Sequence, residues 1–210
     1  MKNIVIKIGT DGLPQDEILY LMPEFSAPSN YKDAEKIQAW KAKKQEEWLL
    51  DAPMSALSGR VLAVAYQPDG DDCHVIAADS EAEILEKFWE VFRRNPDCNF
   101  VGFNARNFDI PYLVRRSWWN KVIIPKIMQG RFLNWKFTDL AQIWACGCAD
   151  KVSLNTLVKF FGIKGDTIDG MSFSAMWKVC PTGALRYLMY EVALTRAVGE
   201  AMGVIEEEVF

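Results

Sequence analysis

Hydrophobic and polar positions change their period several times along the chain, and the changes mark out its elements. Ile4 to Ile8 alternates and is β-branched, the pattern of a strand, and Thr10-Asp11-Gly12-Leu13-Pro14 reads as the turn that breaks it. From Asp33 to Leu50, charged residues surround Ile37, Trp40, Trp48 and Leu49, as on an amphipathic helix with a solvated face. Gly59 precedes a second strand, Arg60 to Tyr66. Pro68-Asp69-Gly70-Asp71 is a hairpin turn, and Cys73 to Ala78 is a third strand. Ser80 and Glu83 form a capping box for a helix from Glu81 to Arg94. Asn99 to Phe103 is a fourth strand. Asn107 to Trp118 reads as a helix that starts near Phe108, because Pro111 is tolerated only in a first turn. Lys136 to Thr138 is a short fifth strand, with Asp139 capping the helix after it. Helical segments follow over Ser153 to Phe161, Phe173 to Lys178 and Thr182 to about Met202, with a loop from Gly165 to Gly170.

A hairpin of strands, then strand–helix units, then helices is the order of an α/β domain with a mixed sheet. The helix between the third and fourth strands permits a crossover. The sheet order expected is therefore 3-2-1-4-5, with strands one to three antiparallel and one and four parallel. With no linker or internal repeat in sight, residues 1–210 are expected to form one domain. Half of the 210 residues are hydrophobic, as a packed core needs. Five scattered Cys and a single His, His74, argue against a disulfide framework or a Cys/His zinc site. His74 reads as structural, and Cys146-Gly147-Cys148 as small buried residues. There is no secretory signal pattern and no apolar run of about twenty residues, so a cytoplasmic protein without a membrane partner is expected.

The net charge of −4 is unevenly spread. Residues 105–136 hold seven cations (Arg106, Arg115, Arg116, Lys121, Lys126, Arg131, Lys136) against Asp109, a local +6 that leaves −10 elsewhere. Trp118, Trp119, Phe132 and Trp135 lie among them. Cations interleaved with aromatics suit a single-stranded nucleic acid, with Arg115 and Arg116 as phosphate contacts.

One stretch carries more specific chemistry: Val101-Gly102-Phe103-Asn104-Ala105-Arg106-Asn107-Phe108-Asp109-Ile110-Pro111-Tyr112-Leu113. It resembles the second exonuclease motif of the proofreading domain of family B DNA polymerases, within the DEDD superfamily and its RNase H-like fold. Asn104, Phe108 and Asp109 carry the likeness. Ile4 to Pro14 has the frame of the first motif, Lys151 to Leu157 resembles the helix before the third, and Tyr187-Leu188-Met189-Tyr190-Glu191 resembles the third motif of the tyrosine subclass. The resemblance implies a three-layer RNase H-like domain, a 3′→5′ exonuclease-like role and a single-stranded DNA or RNA end as partner. It also implies Mg²⁺ or Mn²⁺ as cofactor, Asn104 and Phe108 in substrate binding, and Tyr187 beside the reaction.

At the four carboxylate positions of that family this chain has Lys7, Gly9, Asp109 and Glu191. Only Asp109 and Glu191 remain as metal ligands, and an ammonium stands where the first should be, so tight ion binding is not expected. Asp11, Asp16 and Glu17 are candidate substitutes. Three readings follow: an impaired exonuclease-like protein that binds nucleic-acid ends, with a protein partner conceivable; an active enzyme with a rearranged ligand set; or a structural domain without a nucleic-acid role. Lys7 is expected to reach Asp109, Glu191 or both in a salt bridge.

Overall fold

The computed structural model describes residues 2–126, 136–149, 151–165 and 172–206. Its sheet has five strands, β1 (Asn3–Gly12), β2 (Gly59–Pro68), β3 (His74–Ile76), β4 (Asn99–Gly102) and β5 (Phe137–Asp139). Their order is β3-β2-β1-β4-β5, as expected from the hairpin and the crossover. β2 is antiparallel to both β1 and β3, while β4 runs parallel to β1 and to β5. Around the sheet lie α1 (Gln15–Ile18), α2 (Ala34–Leu50), α3 (Glu81–Arg94), α4 (Asp109–Trp119), α5 (Leu140–Ala145), α6 (Leu154–Phe160), α7 (Phe173–Val179) and α8 (Pro181–Ala201). The result is an RNase H-like sandwich of helices on a mixed sheet.

Strand alternation sends the residues of β1 to two different cores. Ile4, Ile6 and Ile8 join a cluster with Phe88 and Trp89 of α3 and Leu113 of α4. Val5 joins Leu188, Val192 and Val198 of α8 on the other face. Lys7 and Gly9 follow Val5 and so look toward α7 and α8. Trp89 is fully buried and still satisfied, its indole N–H donating to Ser117 Oγ at 2.8 Å and tying α3 to α4.

Several boundaries differ from the sequence reading. β1 does not turn at Thr10: it runs on to Gly12, pairing Asp11 with Arg60, and absorbs a register shift between Gly9 and Thr10. That irregularity lets one strand change its twist without ending. Asp33 caps α2 by accepting from the Glu35 and Lys36 amides, yet α2 buries none of its residues, as a solvated face implies. Cys146 and Cys148 are exposed, not buried, because Cys146 ends α5 in a left-handed conformation and turns the chain outward. His74 stacks on Tyr66 with ring centroids 5.2 Å apart. Arg131, Phe132, Trp135 and most of the loop from Gly165 to Gly170 lie outside the described residues. No helix among the described residues is long and apolar enough to cross a membrane.

Candidate functional site

The site forms where β1, β4 and the start of α4 meet α8. β4 ends at Gly102, and Asn104 follows with φ of 58°, a left-handed turn that Asn tolerates. Asp139, buried at the end of β5, accepts from the amides of Asn104 (2.8 Å) and Arg106 (3.0 Å) as well as capping α5 through Ala141. One carboxylate thus fixes the loop that presents Asn104 and starts α4. Phe108 is the residue before α4 and packs on Tyr112, and Asp109 is the first residue of the helix. An acid at a helix start is favoured by the backbone dipole.

Asp109 is 1% exposed. Its Oδ1 accepts from the Ile8 amide at 2.9 Å, which binds α4 to the centre of β1, while Oδ2 is buried with no hydrogen-bond partner. On α8, Tyr187 and Glu191 project together, and the tyrosine hydroxyl donates to Glu191 Oε1 at 3.2 Å. Lys7 is half-buried between the two acids. Asp109, and then Glu191, hold its ammonium above the ordinary lysine range against the opposing effect of burial. Burial pushes both carboxyls above the usual carboxylate range, and Lys7 partly offsets that push. No direct ion pair joins Lys7 to either acid among the described residues, contrary to expectation. The coupling acts beyond ion-pair distance.

Two adjoining cavities open here, about 850 and about 290 Å³, and Lys7, Phe103, Asn104, Tyr187 and Glu191 line both. Asp109 and Phe108 line the smaller. The larger runs on toward α6, past Gln142, Lys151 and Asn155. Lys7, Asn104, Phe108, Asp109, Tyr187 and Glu191 are thus brought together.

Arg115 and Arg116 are not, and they differ from each other. Arg115 is exposed on α4. Arg116 is 2% exposed and grips Glu81 with two hydrogen bonds, from Nε to Oε1 (2.9 Å) and from Nη2 to Oε2 (2.7 Å), and donates from Nη1 to the Ala56 carbonyl at 3.2 Å. Its guanidinium is consumed inside the protein, so Arg116 is a structural residue and not a phosphate contact. Arg106 likewise donates to the Phe137 carbonyl (2.8 Å from Nε). The substitute ligands fail too. Asp11 accepts from Ser174 Oγ at 2.6 Å and pairs with Lys178, while Asp16 and Glu17 stand exposed on α1. Phe173 and Gln142 line the cleft without having been singled out from the sequence, and Lys151 of the segment before the third motif joins them. The placement of Phe173 and Gln142 comes from long-range packing, and no local pattern marks it.

Taken together, strand order and flanking helices define an RNase H-like domain. It is similar to the exonuclease domain of the family B DNA polymerases. The family described as DNA polymerase family B, exonuclease domain, matches residues 56–143, a segment that holds Asn104, Phe108 and Asp109 but neither β1 nor α8. The family B DNA polymerase from the hyperthermophilic archaeon Pyrobaculum calidifontis superposes with a TM-score of 0.64 at 15% identity. The superposition covers 96% of this chain and 24% of that one, so the chain spans about a quarter of the polymerase's length. No curated protein matches the chain in sequence.

The divalent ions used by such exonuclease domains do not fit the residues present. Asp109 Oδ2 is a buried oxygen free to ligate, but Lys7 faces it with a positive charge. Gly9 offers no ligand, and the Phe173 ring fills the space beside it. Among the described residues no three His, Cys, Asp or Glu side chains are grouped to hold a metal ion.

Proposed function

We propose that the chain is a 3′→5′ exonuclease-like protein that binds a single-stranded nucleic-acid end and does not hydrolyse it by the two-ion route. The observation that carries this reading is Lys7, whose ammonium lies between Asp109 and Glu191 where that route needs acids and ions. One positive charge offsets two buried carboxyls and keeps the cleft formed without metal. The groups around the cleft suit an end-binding role. Asn104, Asn107 and Gln142 offer amide donors and acceptors for base edges, Lys151 offers a cation for phosphate, and Phe108 and Tyr187 offer ring surfaces. The exposed Arg115, Lys121 and Lys126 extend the positive surface from α4.

The test is to incubate 3′-labelled single-stranded DNA or RNA with the protein in EDTA, in Mg²⁺ and in Mn²⁺. Both mobility shift and shortening are measured. Retarded, intact substrate with the same affinity in EDTA is expected. Shortening that requires the metal would establish an active enzyme with a rearranged ligand set, and neither shift nor shortening would leave a structural domain.

A further inference from the structure

Gly9 occupies the second-acid position, and what stands against it is an aromatic ring. A Cβ built on Gly9 would lie 2.4 Å from Cζ of Phe173 and 2.6 Å from each Cε, so the ring enters tip first into the room a side chain at position 9 would need. The ring is held there by its helix. Phe173 is the first residue of α7 and stacks on Trp177 with centroids 5.7 Å apart and planes 28° apart. The next residue, Ser174, is buried and donates to Asp11 Oδ1 at 2.6 Å, and Lys178 one turn on reaches the same oxygen at 3.5 Å. Arg60 of β2 closes on Asp11 Oδ2 at 3.7 Å. Asp11 is available for this only because β1 runs on past Gly9 through its register shift.

We infer that Gly9 and Phe173 form a matched pair, in which Phe173, anchored through Ser174 and Asp11, is the residue that excludes the second acid and with it the divalent ions. This inference rests on the exonuclease-like reading for the significance of position 9, but not on nucleic-acid binding. Three altered ligand positions are therefore not the whole of the departure. A fourth residue, far away in sequence and not itself a ligand position, closes the site, and restoring the acids alone would drive a Glu side chain into an occupied space.

The experiment compares Mn²⁺ binding by isothermal calorimetry in the full chain carrying Lys7→Asp, Gly9→Glu and Glu191→Asp, with and without Phe173→Ala. The variant with Phe173→Ala is expected to bind Mn²⁺ at least about tenfold more tightly, since overpacking penalties are of that size. Equal affinities, or no binding by either folded variant, would overturn the inference. Should the multiple variants not fold, thermal unfolding of single and paired substitutions reads the same packing. Gly9→Ala should lower Tm by about 3–8 °C in the wild type and by less than about 2 °C in a Phe173→Ala background. Equal falls in the two backgrounds would overturn it. Neither measurement involves nucleic acid, so failure here and failure of the end-binding reading are distinguishable.

Discussion

Replacing Lys7 by Met keeps the length of the side chain and removes the charge that two buried acids face. At an effective dielectric near 20, unit charges about 6 Å apart interact by about 3 kcal/mol, so Lys7 stabilises ionised Asp109 and Glu191 by several kcal/mol before costs. Three effects reduce the net loss. Met does not carry the desolvation cost of the ammonium. Tyr187 still donates to Glu191, and the Ile8 amide to Asp109. Finally, an acid left without its cation can take up a proton, at about 1.4 kcal/mol per pKa unit, instead of staying charged. The net destabilisation expected is about 1–3 kcal/mol at pH 8, a fall in Tm of roughly 2–12 °C for a chain of this size. The pH dependence is the sharper check. Lys7, with its pKa raised, stays charged throughout the range in which the acids, held above the usual carboxylate range by burial, lose their protons. The contribution of Lys7 therefore grows as pH rises. Urea unfolding of wild type and Lys7→Met at pH 5 and pH 8 should show a cost at pH 5 below about 1 kcal/mol. A cost that is flat with pH, or larger at pH 5, would refute the coupling.

Three other outcomes are expected. Arg116→Met strands Glu81 inside the protein and should cost about 3–5 kcal/mol in urea unfolding, whereas a cost below about 1 kcal/mol would show the pair to be dispensable. Asp109→Asn removes a carboxyl whose folded pKa is raised by burial, so its native state no longer holds a proton that the unfolded chain releases. The stability of Asp109→Asn relative to wild type should thus rise from pH 4 to pH 8 in the same assay, and a fall would contradict the burial argument. Arg115→Glu should leave Tm unchanged while weakening single-strand binding. It should also reduce the slope of log affinity against log salt by about 0.7 for each phosphate that Arg115 neutralises, and an unchanged slope would place the binding surface elsewhere.

Much of the fold was legible because its signals are local. Alternation marks β1, Ser80 does accept from the Glu83 amide, and Asp139 caps α5. The positions of Lys7, Asp109 and Glu191 around one cleft were legible through the motif frame. What was hidden depends on residues distant in sequence. Arg116 and Arg115 are adjacent and chemically identical, and only the packing of α3 against α4 sends one inward to Glu81. The strand character of Thr10 to Gly12 comes from β2 alongside, which overrides a turn-like composition. Phe173 carries no local mark at all, since its role exists only once α7 has docked on β1.

The central position of β1 also sets a schedule for making the protein. β1 emerges before the other strands, but its parallel partner β4 lies far down the chain, with Asn3 and Asn99 hydrogen bonded across a separation of 96 residues. The cover of the face bearing Val5, Ala63, Ala65 and Val101 is completed when α8 arrives with Leu188, Val192, Leu194 and Val198. At ribosomal rates of about 5–20 residues per second, Ile4-Val5-Ile6 waits roughly 10–40 s before α8 is made. A chain stalled before Pro181 would present an uncovered β surface to its neighbours, and such nascent chains should depend on chaperones more than the finished protein does.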